Sequence, residues 1–249
     1  MPYENNDSVH SQGNLARFSI PSAQVKHTNP PALGTKFLFE FLLDGRTPAR
    51  AMSDAAMQLM LPSLGGPGAI IELGAANDYY KNFVPPGQRY FTSDLSNNCD
   101  LRLDMTKLDL EDNSVDALVS VFALEHLYSF HDVFEECKRV LRPRGRLLLV
   151  VPFLYYYHAA PDDFFRFTSS ALDRLLSPLE ILVRQPLGNR GLLFSEFLHE
   201  KVNMGSVKGT LGRLALRCVA LPFLASGLSS HDARYAFAFA YLCEKRRSA

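Results

Sequence analysis

Three carboxylates, one glycine and two histidines stand out in this 249-residue chain, because their spacing suits chemistry. The apolar stretch Ala69-Ile70-Ile71 runs into Glu72, and Leu73-Gly74-Ala75-Ala76 follows. Glycine lets a backbone pass close to a ligand, and small neighbours keep that space clear. Asp94 comes twenty residues after Gly74 and ends the β-forming run from Arg89, where a carboxylate accepts ribose hydroxyls. Asp104 closes a further short run, Leu101-Arg102-Leu103. Together these residues read as a site for an adenosine-bearing cofactor. His126 and His158 each come shortly after a long apolar run, and imidazole, which titrates near neutrality, suits proton transfer there.

Those residues need strands and turns to hold them. Thr47-Pro48 reads as a helix N-cap with proline at the first position, and the helix carries Met52, Ala55, Ala56, Leu59 and Met60 on one face up to Pro62. The block Gly65-Gly66-Pro67-Gly68 punctuates before the first strand. Ala117 to Leu124 and Arg146 to Phe153 have the near-continuous hydrophobicity of strands covered on both faces. Between them Phe130, Val133, Phe134, Cys137 and Leu141 recur at helical spacing, and Arg142-Pro143-Arg144-Gly145 is expected to stop that helix. Thr168 or Ser169 caps a helix through Leu176, Leu179 to Val183 reads as a sixth strand, and Tyr235 to Cys243 as a last one. Alternating strands and helices indicate an α/β fold with a doubly wound, mainly parallel sheet, whose ligands lie at the carboxyl ends of the strands.

The remaining segments set the expected organisation. Residues 1–34, rich in Asn, Ser, Gln, Pro and Gly, read as a flexible arm, and 35–249 as a single domain. Its core spans 69–190 and 233–245, and a helical insertion or lid covers 192–230. Within that insertion, 211–228 is apolar but broken by Arg217 and Pro222, too short to cross a bilayer, which leaves peripheral membrane contact open. A formal net charge of zero gives no basic footprint for nucleic acid. Four scattered cysteines without a C-x-x-C pair argue against a zinc site or disulfides, so no metal is expected and a reducing, cytoplasmic setting is. No signal-peptide pattern opens the chain.

From Ala69 to Leu176 the sequence resembles the class I S-adenosylmethionine-dependent methyltransferases, in particular small-molecule enzymes of the type 11 kind. The resemblance rests on Ile71-Glu72-Leu73-Gly74-Ala75, on Asp94, on Asp104-Met105 with Leu108 and Asn113-Ser114-Val115-Asp116, on Ala123-Leu124-Glu125-His126-Leu127, and on Arg139 to Leu147. Its order and spacing carry more than any one motif. It implies a Rossmann-like seven-stranded sheet with a reversed last strand and S-adenosyl-L-methionine as cofactor. Glu72, Gly74, Ala75 and Ala76 would form the cofactor turn, Asp94 with Leu95 would bind the ribose, Asp104 and Met105 would flank the adenine, and Phe122 would lie near the methionine end. Three positions depart from the family: Ala76 stands at its second glycine, Asp78 at its third, and Arg144, at the far end of its strand, at the first of two glycines after the proline.

Methyl transfer is an in-line displacement, so the protein chiefly has to align the acceptor and exclude water. His158 and His126 are the candidates for a base, and a histidine at position 126 also suits a structural neighbour of the cofactor. Tyr156, Tyr157, Asp163 and Arg166 are candidates for the acceptor side, although Asp163 and Arg166 suit an ion pair bracing their loop equally well. The implied activity is O- or N-methylation of a small-molecule or glycan-type acceptor. Two rivals remain open: a methyltransferase-like binding or partner protein without turnover, and a nicotinamide-dependent oxidoreductase or epimerase. The latter wants three glycines where only Gly74 is present.

Overall fold

The computed structural model describes residues 26–27, 33–65, 68–96, 98–159, 161–203, 210–227 and 233–247. The strands are β1 (Lys26–His27), β2 (Ala69–Leu73), β3 (Arg89–Asp94), β4 (Leu101–Arg102), β5 (Val115–Val121), β6 (Leu141–Pro152), β7 (Glu180–Leu187) and β8 (Ala238–Glu244). They form one sheet in the order β1-β7-β8-β6-β5-β2-β3-β4. Strands β2 to β8 are the seven expected, and β8 is antiparallel to both neighbours, β6 and β7. The eighth, two-residue strand β1 runs parallel to β7 at the edge. It falls within the segment read as a flexible arm, most of which lies outside the described residues.

Alternation along the strands feeds two cores. Ile70, Val119 and Leu148 face one layer; Ile71, Leu118 and Leu147 face the other. The first layer is closed by the helix α1 (Thr35–Phe39), by α2 (Pro48–Met60), and by the inserted pair α5 (Arg190–Asn203) and α6 (Thr210–Gly227). The second is closed by α3 (Phe130–Val140) and α4 (Ser169–Leu175). The Thr47 hydroxyl accepts from the Arg50 amide at 3.1 Å and the Thr168 hydroxyl from the Ala171 amide at 3.2 Å, so both expected caps form.

The inserted helices also hold the start of the chain. α1 continues into a wider turn over Glu40–Asp44, where Phe41 is buried, and Arg217 on α6 donates to the Leu42 carbonyl at 2.8 Å. That contact draws Gly45 and Arg46 over the sheet's carboxyl edge. The Pro222 ring is accommodated within α6. Among the described residues no helix is long and apolar enough to cross a membrane, while Leu211, Val219 and Phe223 of α6 stand exposed.

Several boundaries differ from the sequence reading. Arg142-Pro143-Arg144-Gly145 does not separate helix from strand but belongs to β6. Leu141 pairs with Val115 and Arg146 with Ala117, so the extra residues bulge out, and Arg144 takes a left-handed φ of 67°. The run Ala117 to Leu124 ends early: β5 stops at Val121, Phe122 turns with φ of 50°, and Leu124–His126 form a short 3-10 turn. The sixth strand is longer than expected and reaches Leu187. The last begins only at Ala238, after a 3-10 turn over Ala233–Tyr235.

Candidate active site

β2 lies between β3 and β5, and the chain winds away from it in both directions, which opens a crevice beyond the strand ends. Gly74, the first residue past β2, has φ of 69°, and a Cβ there would lie 2.7 Å from the Ala123 methyl. Ala76 also takes a left-handed φ, 54°, a conformation costly for any residue with a side chain. The Ala75 amide donates to the Ser93 carbonyl at 3.0 Å and ties this turn to β3.

A cavity of about 360 Å³ opens over that turn. It is lined by Gly74, Ala76, Asp94, Leu95, Asp104, Met105, Phe122 and His126, among others. Each carboxylate is held by its own loop. Asp94 accepts from the Ser96 amide at 2.8 Å, and Asp104 from the Thr106 amide at 2.8 Å and its hydroxyl at 2.6 Å. Two cofactor candidates do not line the cavity, Glu72 and Ala75. Glu72 is 2% exposed, accepts from the Tyr90 hydroxyl at 2.8 Å, and supports the turn from beneath. Burial pushes its carboxyl up to about 7, with Asp78 adding to the rise and the Tyr90 hydrogen bond opposing it.

A second cavity of about 410 Å³ lies on the other side of Phe122. Gly45, Arg46, Thr47 and Arg50 line one wall; Tyr80, Tyr155, Tyr156 and His158 face them. Buried Asp54 fixes the first wall by accepting from Arg46 and from the Tyr79 hydroxyl, each at 2.8 Å. Arg50 stacks 4.7 Å above the Tyr79 ring. On the second wall Tyr155 and Tyr156 stack with centroids 4.3 Å apart. Of the acceptor-side candidates only Tyr156 lines this cavity; Tyr157 is exposed.

Asp163 and Arg166 pair with each other, which is the bracing role. Arg166 Nη2 donates to Asp163 Oδ2 at 2.6 Å and to the Tyr156 carbonyl at 2.7 Å, and Asp163 accepts the His158 amide at 2.9 Å. The Arg166 guanidinium holds the Asp163 carboxyl down to about 2. The Phe164 amide donates to the Glu125 carbonyl at 2.7 Å and docks this loop on the 3-10 turn after β5. Docking brings the two histidines together, with ring centroids 5.2 Å apart and planes at 80°. His126 faces the first cavity and His158 the second.

Between them lies a residue that the sequence analysis placed in a motif without giving it a role. Glu125 is 0% exposed, its Oε1 is 3.4 Å from His158 Nε2 and 3.9 Å from His126 Nε2, and neither of its oxygens finds a hydrogen-bond donor among the described residues. The nearby Glu125 carboxylate raises the His158 pKa more than burial lowers it. No local pattern marks the Arg46–Arg50 wall, which meets the site only through long-range packing, and the motif around Glu125 does not show its approach to His158. Burial of a carboxylate beside His126 is the one signal of that kind, and a sequence does not display burial.

Comparison with known proteins agrees with this architecture. Residues 76–149 match the family model described as "Methyltransferase domain". No curated protein matches the sequence. Among solved structures the chain is similar to the [4+2]-cyclase SpnF, at 14% identity and a TM-score of 0.57 over 92% of this chain and 91% of that one. It is also similar to a geranyl diphosphate methyltransferase in complex with SAM, at 16% identity and 0.54 over 90% and 99%. A third is the 1,6-didemethyltoxoflavin-N1-methyltransferase of Burkholderia thailandensis, with S-adenosylhomocysteine bound, at 15% identity and 0.51 over 90% and 97%. The family-model match lies across the strand ends that form the first cavity, and the chain has the Rossmann-like α/β fold of class I methyltransferase structures.

Proposed function

We propose that this protein transfers a methyl group from S-adenosylmethionine to oxygen or nitrogen of a small-molecule or glycan-type acceptor, in the cytoplasm. The observation that carries the reading is the meeting of two cavities at Phe122, one walled by carboxylates and small residues, the other by tyrosines and arginines. Both fall within the size of small-molecule sites, roughly 300–1,000 Å³. The first suits an adenosyl group: Asp94 would accept its ribose hydroxyls, while Leu95, Leu103 and Met105 would offer apolar faces to a flat ring. When bound, the cofactor supplies a methyl group whose bond to sulfur breaks in line with the incoming acceptor, the electron pair returning to sulfur.

The chain's own residues would do the rest. Tyr155 and Tyr156 hold the acceptor against the Arg46–Arg50 wall, and Phe122 narrows the passage so that two reacting atoms meet in one orientation. His158 and His126 stand where an acceptor proton would leave. All four cysteines are free, in keeping with a reducing compartment.

Calorimetry with S-adenosylhomocysteine tests the reading first. One site per chain is expected, and Asp94→Ala should weaken it about 10- to 100-fold, the loss of hydrogen bonds to a charged acceptor. Absence of heat with S-adenosylhomocysteine and with S-adenosylmethionine would end the proposal. A second reading, binding without turnover, is favoured by the left-handed alanine at position 76. It would be preferred if the nucleotide bound but no product formed across sugars, phenols, carboxylates and amines.

A further inference from the structure

We infer that Glu125, His126 and His158 form a divalent-cation site at the junction of the two cavities, with coordination positions left open for oxygens of the acceptor. The inference deepens the methyl-transfer reading and rests on it for the acceptor's part, but the ion site stands on separate observations.

The first is the direction of the two imidazoles. His126 Nδ1 lies 2.5 Å from the Asp162 carbonyl and His158 Nδ1 lies 3.1 Å from the Tyr156 carbonyl. A carbonyl only accepts, so each Nδ1 carries the hydrogen, and each Nε2 of a neutral ring is a bare lone pair. A backbone partner on one ring nitrogen that leaves the other for a cation is how metal-binding histidines are commonly oriented. Both Nε2 atoms approach the same oxygen, Glu125 Oε1, at 3.4 and 3.9 Å, and one donor atom from each of the three residues lies within 4.8 Å of the others.

The second observation is Glu125 itself, a fully buried carboxylate with no hydrogen-bond donor on either oxygen among the described residues. Three electron-pair donors aimed at one point repel unless a proton or a metal cation lies between them, and the open space beside both cavities suits the cation. The Arg166 guanidinium is committed to Asp163, and its Nη2 meets His158 on the Nδ1 side, 3.5 Å away. It therefore does not enter the space between the donors. A cation about 2.0–2.2 Å from nitrogen and oxygen ligands needs them about 3–4.3 Å apart. The two Glu125–histidine separations already lie in that range.

Two imidazoles and one carboxylate select a borderline ion, Zn²⁺, Mn²⁺, Fe²⁺ or Co²⁺, over Mg²⁺ or Ca²⁺. Three protein ligands leave positions open. His126 lines one cavity and His158 the other, so an ion between them borders both, and it favours an acceptor with two neighbouring oxygens. The ion would then promote loss of the acceptor proton to solvent by stabilising the oxyanion, so that neither imidazole need act as the base.

Calorimetry of chelator-treated full-length protein with Zn²⁺ and with Mn²⁺ tests the site without any turnover. One ion per chain is expected, with affinity falling about 100-fold or more in Glu125→Gln and in His158→Ala. Should either variant fail to fold, X-ray absorption of Zn²⁺-loaded wild-type protein decides. Nitrogen and oxygen neighbours with imidazole scattering support the site, and a sulfur-dominated shell overturns it by placing the ion on cysteine. No saturable binding, or both variants binding like wild type, also overturns it. Titration with S-adenosylhomocysteine in the metal-free protein separates the two ideas. Nucleotide binding without metal binding removes only the ion site, and metal binding without nucleotide binding removes the methyl-transfer reading.

Discussion

Gly74→Ala is the sharpest perturbation of the cofactor turn, because two separate costs can be worked from its geometry. The backbone at position 74 has φ of 69°, and holding alanine there costs about 1–2 kcal/mol. The new methyl would start 2.7 Å from that of Ala123, well inside the roughly 3.5–4.0 Å at which carbons rest. Ala123 is buried and its Cβ has no torsion by which to move aside, so relief needs a backbone shift, which adds about 1–3 kcal/mol. The sum is about 2–5 kcal/mol. For a chain of this size each kcal/mol moves the melting point about 2–4 °C, so a fall of roughly 4–20 °C is expected by differential scanning calorimetry. The double variant Gly74→Ala/Ala123→Gly removes the collision and keeps the dihedral cost, so it should recover part of the loss and no more. A single variant melting within about 1 °C of wild type, with S-adenosylhomocysteine affinity intact, would refute the account of the turn.

Other expectations follow from particular contacts. Ala76→Gly should stabilise the protein by roughly 0.5–1 kcal/mol, since relief of its left-handed backbone exceeds the extra freedom of glycine when unfolded; a lower melting point would contradict this. Glu72, pushed up to about 7 by burial, binds more protons folded than unfolded between its ordinary value of 4.5 and that pH. Stability should therefore fall as pH rises through that window, by up to about 3 kcal/mol, and urea titrations from pH 5 to 8 should show a flatter profile for Glu72→Gln. Arg166→Ala strips the partner from the buried Asp163 carboxylate and should cost about 3 kcal/mol, with faster proteolysis within 154–167; an unchanged cleavage rate would argue against its bracing role.

The strand-and-turn core was legible because its signals are local. Glu72-Leu73-Gly74 announced the turn, Asp94 fell at a strand end while Asp104 came two residues beyond the shorter β4, and Thr47 and Thr168 declared their helices. Where the reading slipped, the competing influence was tertiary. Pro143 and Gly145 look like a stop, yet pairing of Leu141 with Val115 draws the whole segment into β6. Apolar Ala123 and Leu124 look like strand, yet the turn at Phe122 sends them into a 3-10 turn.

By itself the sequence determined a parallel sheet with a glycine turn and downstream carboxylates, because hydrophobic period and glycine placement act over a few residues. Only the tertiary structure decided that Arg46 and Arg50 face Tyr155 and Tyr156, and that Glu125 is buried unpaired between His126 and His158. Those neighbours lie tens of residues or more apart along the chain, or differ only in burial. Which of them meet is set by how α6 grips the Leu42 carbonyl and how the loop after β6 docks on Glu125.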